Sequence, residues 1–317
     1  MNPDPSAPPQ QSKLLCLTIF LLCVASIPQA LSTIDQDATI ATLTTPLFPE
    51  YISRSALGWI RVAFAGFIFS VTGYKFNEGY EQITPNYLKS SKLKRGVKID
   101  VSGINNLFMF TSISWNLLGI SFAINGLLTL FVDDYQDEMN LEELPYIKTI
   151  LRTAFFIFET VAPLTLLVSV VVTYSLWPNA LKAKNPNTTN FKKPTVLLQH
   201  NANALMTLLE VGLLGGIPIR FSDMALAPLF GLFYIFFSWS MRFSWTPCKS
   251  PQFVYFFLDT TTGKTSTIAL LALVLVLTFF YNLLVLIDDL LLALGGGIVT
   301  HAMVVSMISY MVFKFRD

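Results

Sequence analysis

Four residues of the apolar stretch TVLLQHNANALMTLLEVGLLGG (195–216) carry functional groups that such a stretch rarely tolerates: His200, Asn203, Thr207 and Glu210. Ionisable groups in a membrane-length apolar run are expensive to desolvate and normally face a bundle interior or a wet cavity. Their offsets of three, seven and ten residues put all four within roughly 80° of arc at about 100° per residue. Asn201 lies off that stripe. Interhelical hydrogen bonds of about 1 kcal/mol each are reason enough for Asn203 and Thr207. A His and a Glu together point to chemistry. A second stripe lies in NNLFMFTSISWNLLGISFAINGLL, where Thr111, Ser114, Ser121 and Asn125 share a face by the same arithmetic. Taken singly, such hydroxyls bond back to their own helix.

Depth connects the two stripes. Both helices start at the same membrane surface. At ~1.5 Å per residue Thr111 sits roughly 9–10 Å in and His200 about 7–8 Å in. A hydroxyl beside an imidazole is the minimum for nucleophilic catalysis, because a weak nucleophile needs a base to take its proton. Burial favours the neutral imidazole that this role requires. A third group to orient the imidazole is sought among the acids. Glu210 lies ~15 Å further along the His200 helix and is out of reach. Glu159, in AFFIFETVAPLTLLV, enters from the other side toward mid-membrane. Asp259, in QFVYFFLDTTTG, lies in a loop able to fold over the site, and ranks above Glu159. An Asp before a Thr cluster is also a common turn former.

The elements that must position these groups are membrane helices. The chain has 317 residues, of which 53% are hydrophobic and only 13% charged, about half the charged share of a soluble domain. Mean hydropathy is +0.57. Apolar runs at 57–74, 105–132, 149–177, 195–214, 223–243, 266–287 and 290–313 each approach the ~20 residues that cross a bilayer. A further run within 13–32 reads as a first helix or as a signal segment. The expected fold is all-α: a polytopic bundle over 57–317 of about eight crossings, with six core helices plus extra N- and C-terminal ones. The division of the last two is set either at Asp288-Asp289 or at Gly295-Gly296-Gly297. Residues 1–12, rich in Pro, Ser and Gln, are expected to lack structure. Pro163 is expected to bend its helix.

The loops set the orientation. Segments 75–101 and 178–194 are rich in Lys and Arg, 133–143 is acidic, and the C-terminal FKFRD is basic. Basic loops stay cytoplasmic, so both termini are cytoplasmic if the first segment is retained. The sequon at Asn187 then lies where it is not glycosylated.

Other features exclude chemistry. A net charge of +1 implies no nucleic-acid partner. Cys16, Cys23 and Cys248 form no disulfide framework and read as packing residues. TTGKTST lacks the preceding Gly and the strand of a phosphate-binding loop. His301 reads as a satisfied core histidine. No His/Cys/Asp/Glu cluster has ligand spacing, so neither a metal nor a cofactor is expected.

The segments FMFTSISWNLLGISF, FETVAPLTLLVSVVVTYSLWPNAL, LLQHNANALMTLLE, LFGLFYIFFSWSMRF and FVYFFLDTTTG, in this order, resemble the family of the androgen-induced protein and the androgen-dependent TFPI-regulating protein. The likeness covers most of 57–287. It implies a membrane-embedded threonine hydrolase acting on fatty-acid esters of hydroxy fatty acids, with the nucleophile on Thr111 and the base on His200. The chain departs from the mammalian members at Asn203, which stands where they carry a second His. The 133–143 loop, the N-terminal segment and the His301 helix fall outside the likeness.

The leading expectation is therefore a hydrolase of lipid esters, with membrane lipids and a lipid ester as its partners. A transporter or receptor lined by Glu159, Glu210 and Asn203 is the alternative. A scaffold without chemistry is the third.

Overall fold

The computed structural model describes residues 6–79, 81–133, 141–142, 144–182, 188–245 and 250–313. Eight helical segments carry the fold: α1 (Gln10–Asp37), α2 (Arg54–Asn77), α3 (Phe110–Asp133), α4 (Pro145–Val171), α5 in three pieces (Pro194–Leu197, Leu198–Ala202 and Asn203–Gly212), α6 (Leu226–Met241), α7 (Lys264–Leu294) and α8 (Ile298–Val312). The chain is an all-α bundle. Among the described residues six segments are long and apolar enough to cross a membrane, namely α1, α2, α3, α4 with its extension to Lys182, α6 with the turn before it, and α7. This is the architecture of a multi-pass integral membrane protein.

Local sequence explains the ends. Ser53 opens α2 by accepting from the Ala56 N–H at 3.1 Å, as a Ser N-cap does. α7 runs straight through Asp288-Asp289 and stops at Gly295, whose φ of 52° is left-handed. The last two helices therefore divide at the glycines. Asp288 instead turns into the bundle, where its carboxylate accepts from the Ile219 N–H at 3.0 Å. α2 and α3 approach closely through small residues. A Cβ on Gly126 would lie 2.9 Å from the Val62 nitrogen and 3.0 Å from the Gly58 oxygen.

α1 packs on α6, α7 and the turn at Phe221–Asp223. Its far end is tied down by Asp35 to Arg152 and Asp37 to Arg220. Of the 1–12 segment expected to lack structure, residues 6–12 are placed: Ser6 is buried, its carbonyl accepts from Thr260 Oγ1 at 2.6 Å, and α1 begins at Gln10. Residues 1–5, the sequon at Asn187, Cys248 and nearly all of the acidic 133–143 loop lie outside the described residues. Cys16 and Cys23 are free and buried.

The main core joins α4, α5, α7 and α8 with the inner faces of α1 and α3. On the side of the basic loops, the α2–α3 and α6–α7 connections form a cap. Gln82–Ile83 pairs antiparallel with Ile99–Asp100. The Tyr87 hydroxyl takes the Phe253 N–H at 2.9 Å, and Tyr87, Leu93, Phe253 and Leu258 pack with Trp239. This cap covers the ends of α3 and α6.

Candidate functional site

Thr111 is the second residue of α3, directly under the cap. Phe110 before it fixes the helix start, edge-on to Phe230 at 5.6 Å and Tyr234 at 5.1 Å. Tyr255 of the cap lies against the Phe110 and Thr111 backbone and against the Thr111 side chain. Burial away from water pushes the Tyr255 phenol up to about 12, so it stays a neutral hydroxyl at physiological pH. Sequence reasoning passed over Tyr255, although it lies in the same FVYFFLDTTTG segment as Asp259. Ser114 spends its hydroxyl on the Thr111 carbonyl at 3.1 Å, the local back-bond common to helical serines.

His200 stands at the centre of a π-helical turn, Leu198–Ala202, inserted in α5. Such a turn adds a residue to the helical repeat, and these turns recur at functional sites. It packs on α3 and α4. Leu198 and Ala202 join Trp115, Phe122 and Met206 in one cluster. Neighbours hold the turn in place. Lys75 Nζ donates to Gln199 Oε1 at 2.8 Å. The Ser169 hydroxyl bonds the His200 carbonyl and lies 3.2 Å from Asn203 Oδ1. An extra residue frees backbone groups from the helical ladder, and Ser169 supplies a donor for one of them. Asn203, buried, thus serves the turn.

Regular 100° spacing does not hold across residues 198–202. The stripe read from sequence survives beyond it: Asn203, Thr207 and Glu210 are all buried, with Thr207 3.1 Å from Thr165. The π turn brings the His200 segment and the Thr111 helix together. Among the described residues no direct hydrogen bond joins the two side chains.

The acids are distributed elsewhere. Glu210 belongs to an ion pair with Arg61, both side chains fully buried, with Nε 3.2 Å from Oε2 and Nη2 bonded to Oε1. Arg61 Nη1 also donates to the Leu43 carbonyl at 2.5 Å and Thr129 Oγ1 at 2.9 Å. Glu210 is thereby tied into a structural anchor. Glu159 takes the Arg220 N–H at 2.8 Å and the Tyr281 hydroxyl at 2.9 Å, ten residues from Ser169 along α4. Those ten residues span ~15 Å, which sets Glu159 apart from the His200 turn that Ser169 touches. Asp259 holds its own turn: Oδ1 accepts from the Thr261 N–H at 2.9 Å and hydroxyl at 2.7 Å. It makes no bond to either proposed catalytic residue. His301 is a core residue, Nδ1 2.8 Å from the Gly212 carbonyl and edge-on to Phe48.

No family model, characterised protein or solved structure matches the chain. An apolar cavity of about 160 Å³ opens between α3, α4 and α6, lined by Leu117, Ile157, Thr160, Leu226, Phe230 and Phe233. It begins less than two turns from Thr111 along α3, and Phe230 links its wall to Phe110.

Proposed function

We propose that the chain is a membrane-embedded hydrolase of lipid carboxylic esters, with Thr111 as nucleophile and His200 as its base. The substrate class is fatty-acid esters of hydroxy fatty acids, as the motif resemblance implies. The setting is the endoplasmic reticulum or the plasma membrane, with the site on the cytoplasmic side. The observation that carries the reading is the π-helical turn holding His200 out of register against the Thr111 helix. The apolar cavity that begins less than two turns along α3 from Thr111 supports it by offering room for part of an acyl chain.

In this scheme Thr111 Oγ attacks the ester carbonyl while the His200 imidazole takes its proton. Tyr255, neutral and against Thr111, donates toward the developing oxyanion. Collapse of the tetrahedral intermediate breaks the bond to the alcohol oxygen, which leaves with the proton from His200. Water then attacks the Thr111 acyl ester with His200 again as base, and the fatty acid departs. A side-chain rotation or cap movement on substrate binding would bring nucleophile and base into bonding distance, as in many apo sites.

The test is hydrolysis of a panel of lipid esters by the purified full-length protein. Thr111→Ala and His200→Ala should each abolish turnover. The double variant should be as inactive as either single one, because the pair acts as a unit. Thr111→Ser should retain activity. A folded Thr111→Ala protein that turns over ester at the wild-type rate would end the proposal.

A further inference from the structure

A second polar centre lies in the opposite half of the bundle. Glu159 of α4 and Asp223, in the turn before α6, are both fully buried, and their carboxyl groups lie within hydrogen-bonding range of each other. Glu159 Oε1 is occupied by the Arg220 N–H and the Tyr281 hydroxyl. Glu159 Oε2 is buried with no hydrogen-bond donor among the described residues, and both Asp223 oxygens are buried with only the neighbouring Ser222 hydroxyl near enough to interact. Ser222, beside Asp223, is engaged with Thr33 Oγ1 at 3.1 Å. Pro163 has no N–H, so the Glu159 carbonyl also lacks its helical donor.

The charges facing this pair do not neutralise it. α1 presents Asp37. The segment before the turn presents Arg220, and α7 presents Tyr281 and Asp288. Arg152, two turns from Glu159 on α4, is paired with Asp35. Arg220 is held by Asp37 through Nε and Nη2, the latter at 3.2 Å. That interaction raises the Arg220 pKa. Asp288 accepts from the Ile219 N–H. Ionised carboxylates can only accept hydrogen bonds. Two of them in contact within a desolvated bundle cannot both hold their charge. A single hydrogen between them satisfies both groups.

We propose that Glu159 and Asp223 form a proton-binding site in which the two carboxyl groups share one proton. The partly exposed Asp37–Arg220 pair lies between this site and solvent and gives the proton a route in and out. The site holds the chain after α5 in place, because Glu159 grips the Arg220 backbone. It stands independently of the Thr111–His200 reading.

The experiment is infrared spectroscopy of the full-length protein in lipid nanodiscs at neutral pH, in H2O and D2O. The wild type should show a protonated-carboxyl band that shifts in D2O. Glu159→Gln and Asp223→Asn should each lose it, whereas Asp288→Asn should keep it. Retention of the band in both pair variants would overturn the proposal. If the variants fail to fold, wild-type melting decides, read against pH and against sodium replacing choline at fixed ionic strength. A shared proton predicts a melting temperature that falls as pH rises and ignores sodium. A melting temperature that rises with sodium and not with acid would make this a cation site and refute the shared proton.

Discussion

Glu210 offers the sharpest separation between holding the fold and doing chemistry. Replace it with Leu and the Arg61 guanidinium, fully buried, keeps only the Leu43 carbonyl and Thr129 as partners. Removing one member of a buried ion pair costs about 3–5 kcal/mol, since the other charge stays desolvated without compensation. Replacing both members with apolar groups of similar volume removes that charge. Arg61→Met combined with Glu210→Leu then leaves the Leu43 carbonyl as the main loss, at about 1–3 kcal/mol for an unsatisfied buried group. Thr129 keeps its bond to the Asn125 carbonyl at 2.6 Å. The double variant should thus be more stable than Glu210→Leu alone. Gly215→Ala should mimic the single loss, because its Cβ would meet Arg61 Nη2 and the Glu210 carboxylate.

Reversible denaturation in mixed micelles measures the cycle, and ester hydrolysis per folded molecule measures the chemistry. Stability should fall in Glu210→Leu and partly return in the double variant. Turnover per folded molecule should stay near wild type, because Glu210 lies ~15 Å from His200 along its helix. A Glu210→Leu protein as stable as wild type would refute the anchor reasoning. One that stays stable but loses function would return Glu210 to a ligand path.

Three further outcomes follow from the same structure. Gly126→Val should cost stability on the order of the 1–3 kcal/mol of overpacking, read by the same denaturation, because the α2 backbone faces that position. Tyr255→Phe should lower the rate of ester hydrolysis more than its KM. A wild-type minus Tyr255→Phe absorbance titration should show a phenol with a midpoint near 12 rather than the ordinary 10.0, since burial favours the neutral form. Intact-mass analysis of protein from its native membrane should find residues 13–32 retained, because α1 packs on α6 and α7 and Ser12 at its start meets Thr267 at 2.9 Å.

The apolar runs made the helices legible, since each long run reports a crossing whatever its neighbours do. Phase was harder to read. The π turn at 198–202 carries no residue signature that separates LQHNA from an ordinary helical turn, and it resets the face on which His200 stands. Partners were harder still. Arg61 sits 149 residues from Glu210, in a segment read only as apolar. The contact of Asp223 with Glu159 depends on how the chain returns after α5. Asp259 was legible in both its guises, and the turn-forming one accounts for its bonds. Tyr255 could be found only by asking what the cap lays over Thr111.

The register shift at His200 also needs a restraint, because a π turn is less favourable than the α-helix it interrupts and would relax if nothing held it. α4 supplies that restraint in two rungs against α5. Ser169 meets the His200 carbonyl and Asn203, and Thr165 meets Thr207 one turn further on. On the opposite face Lys75 of α2 fixes Gln199. Each bond contributes only about 1 kcal/mol in a membrane bundle. They act on both sides of one turn, so relaxation to α-helix would have to break them together. The polar residues that first drew attention in this stretch thus divide by role. Asn203 and Thr207 fix the phase, Glu210 anchors the far end, and His200 stands at the centre of the turn they hold.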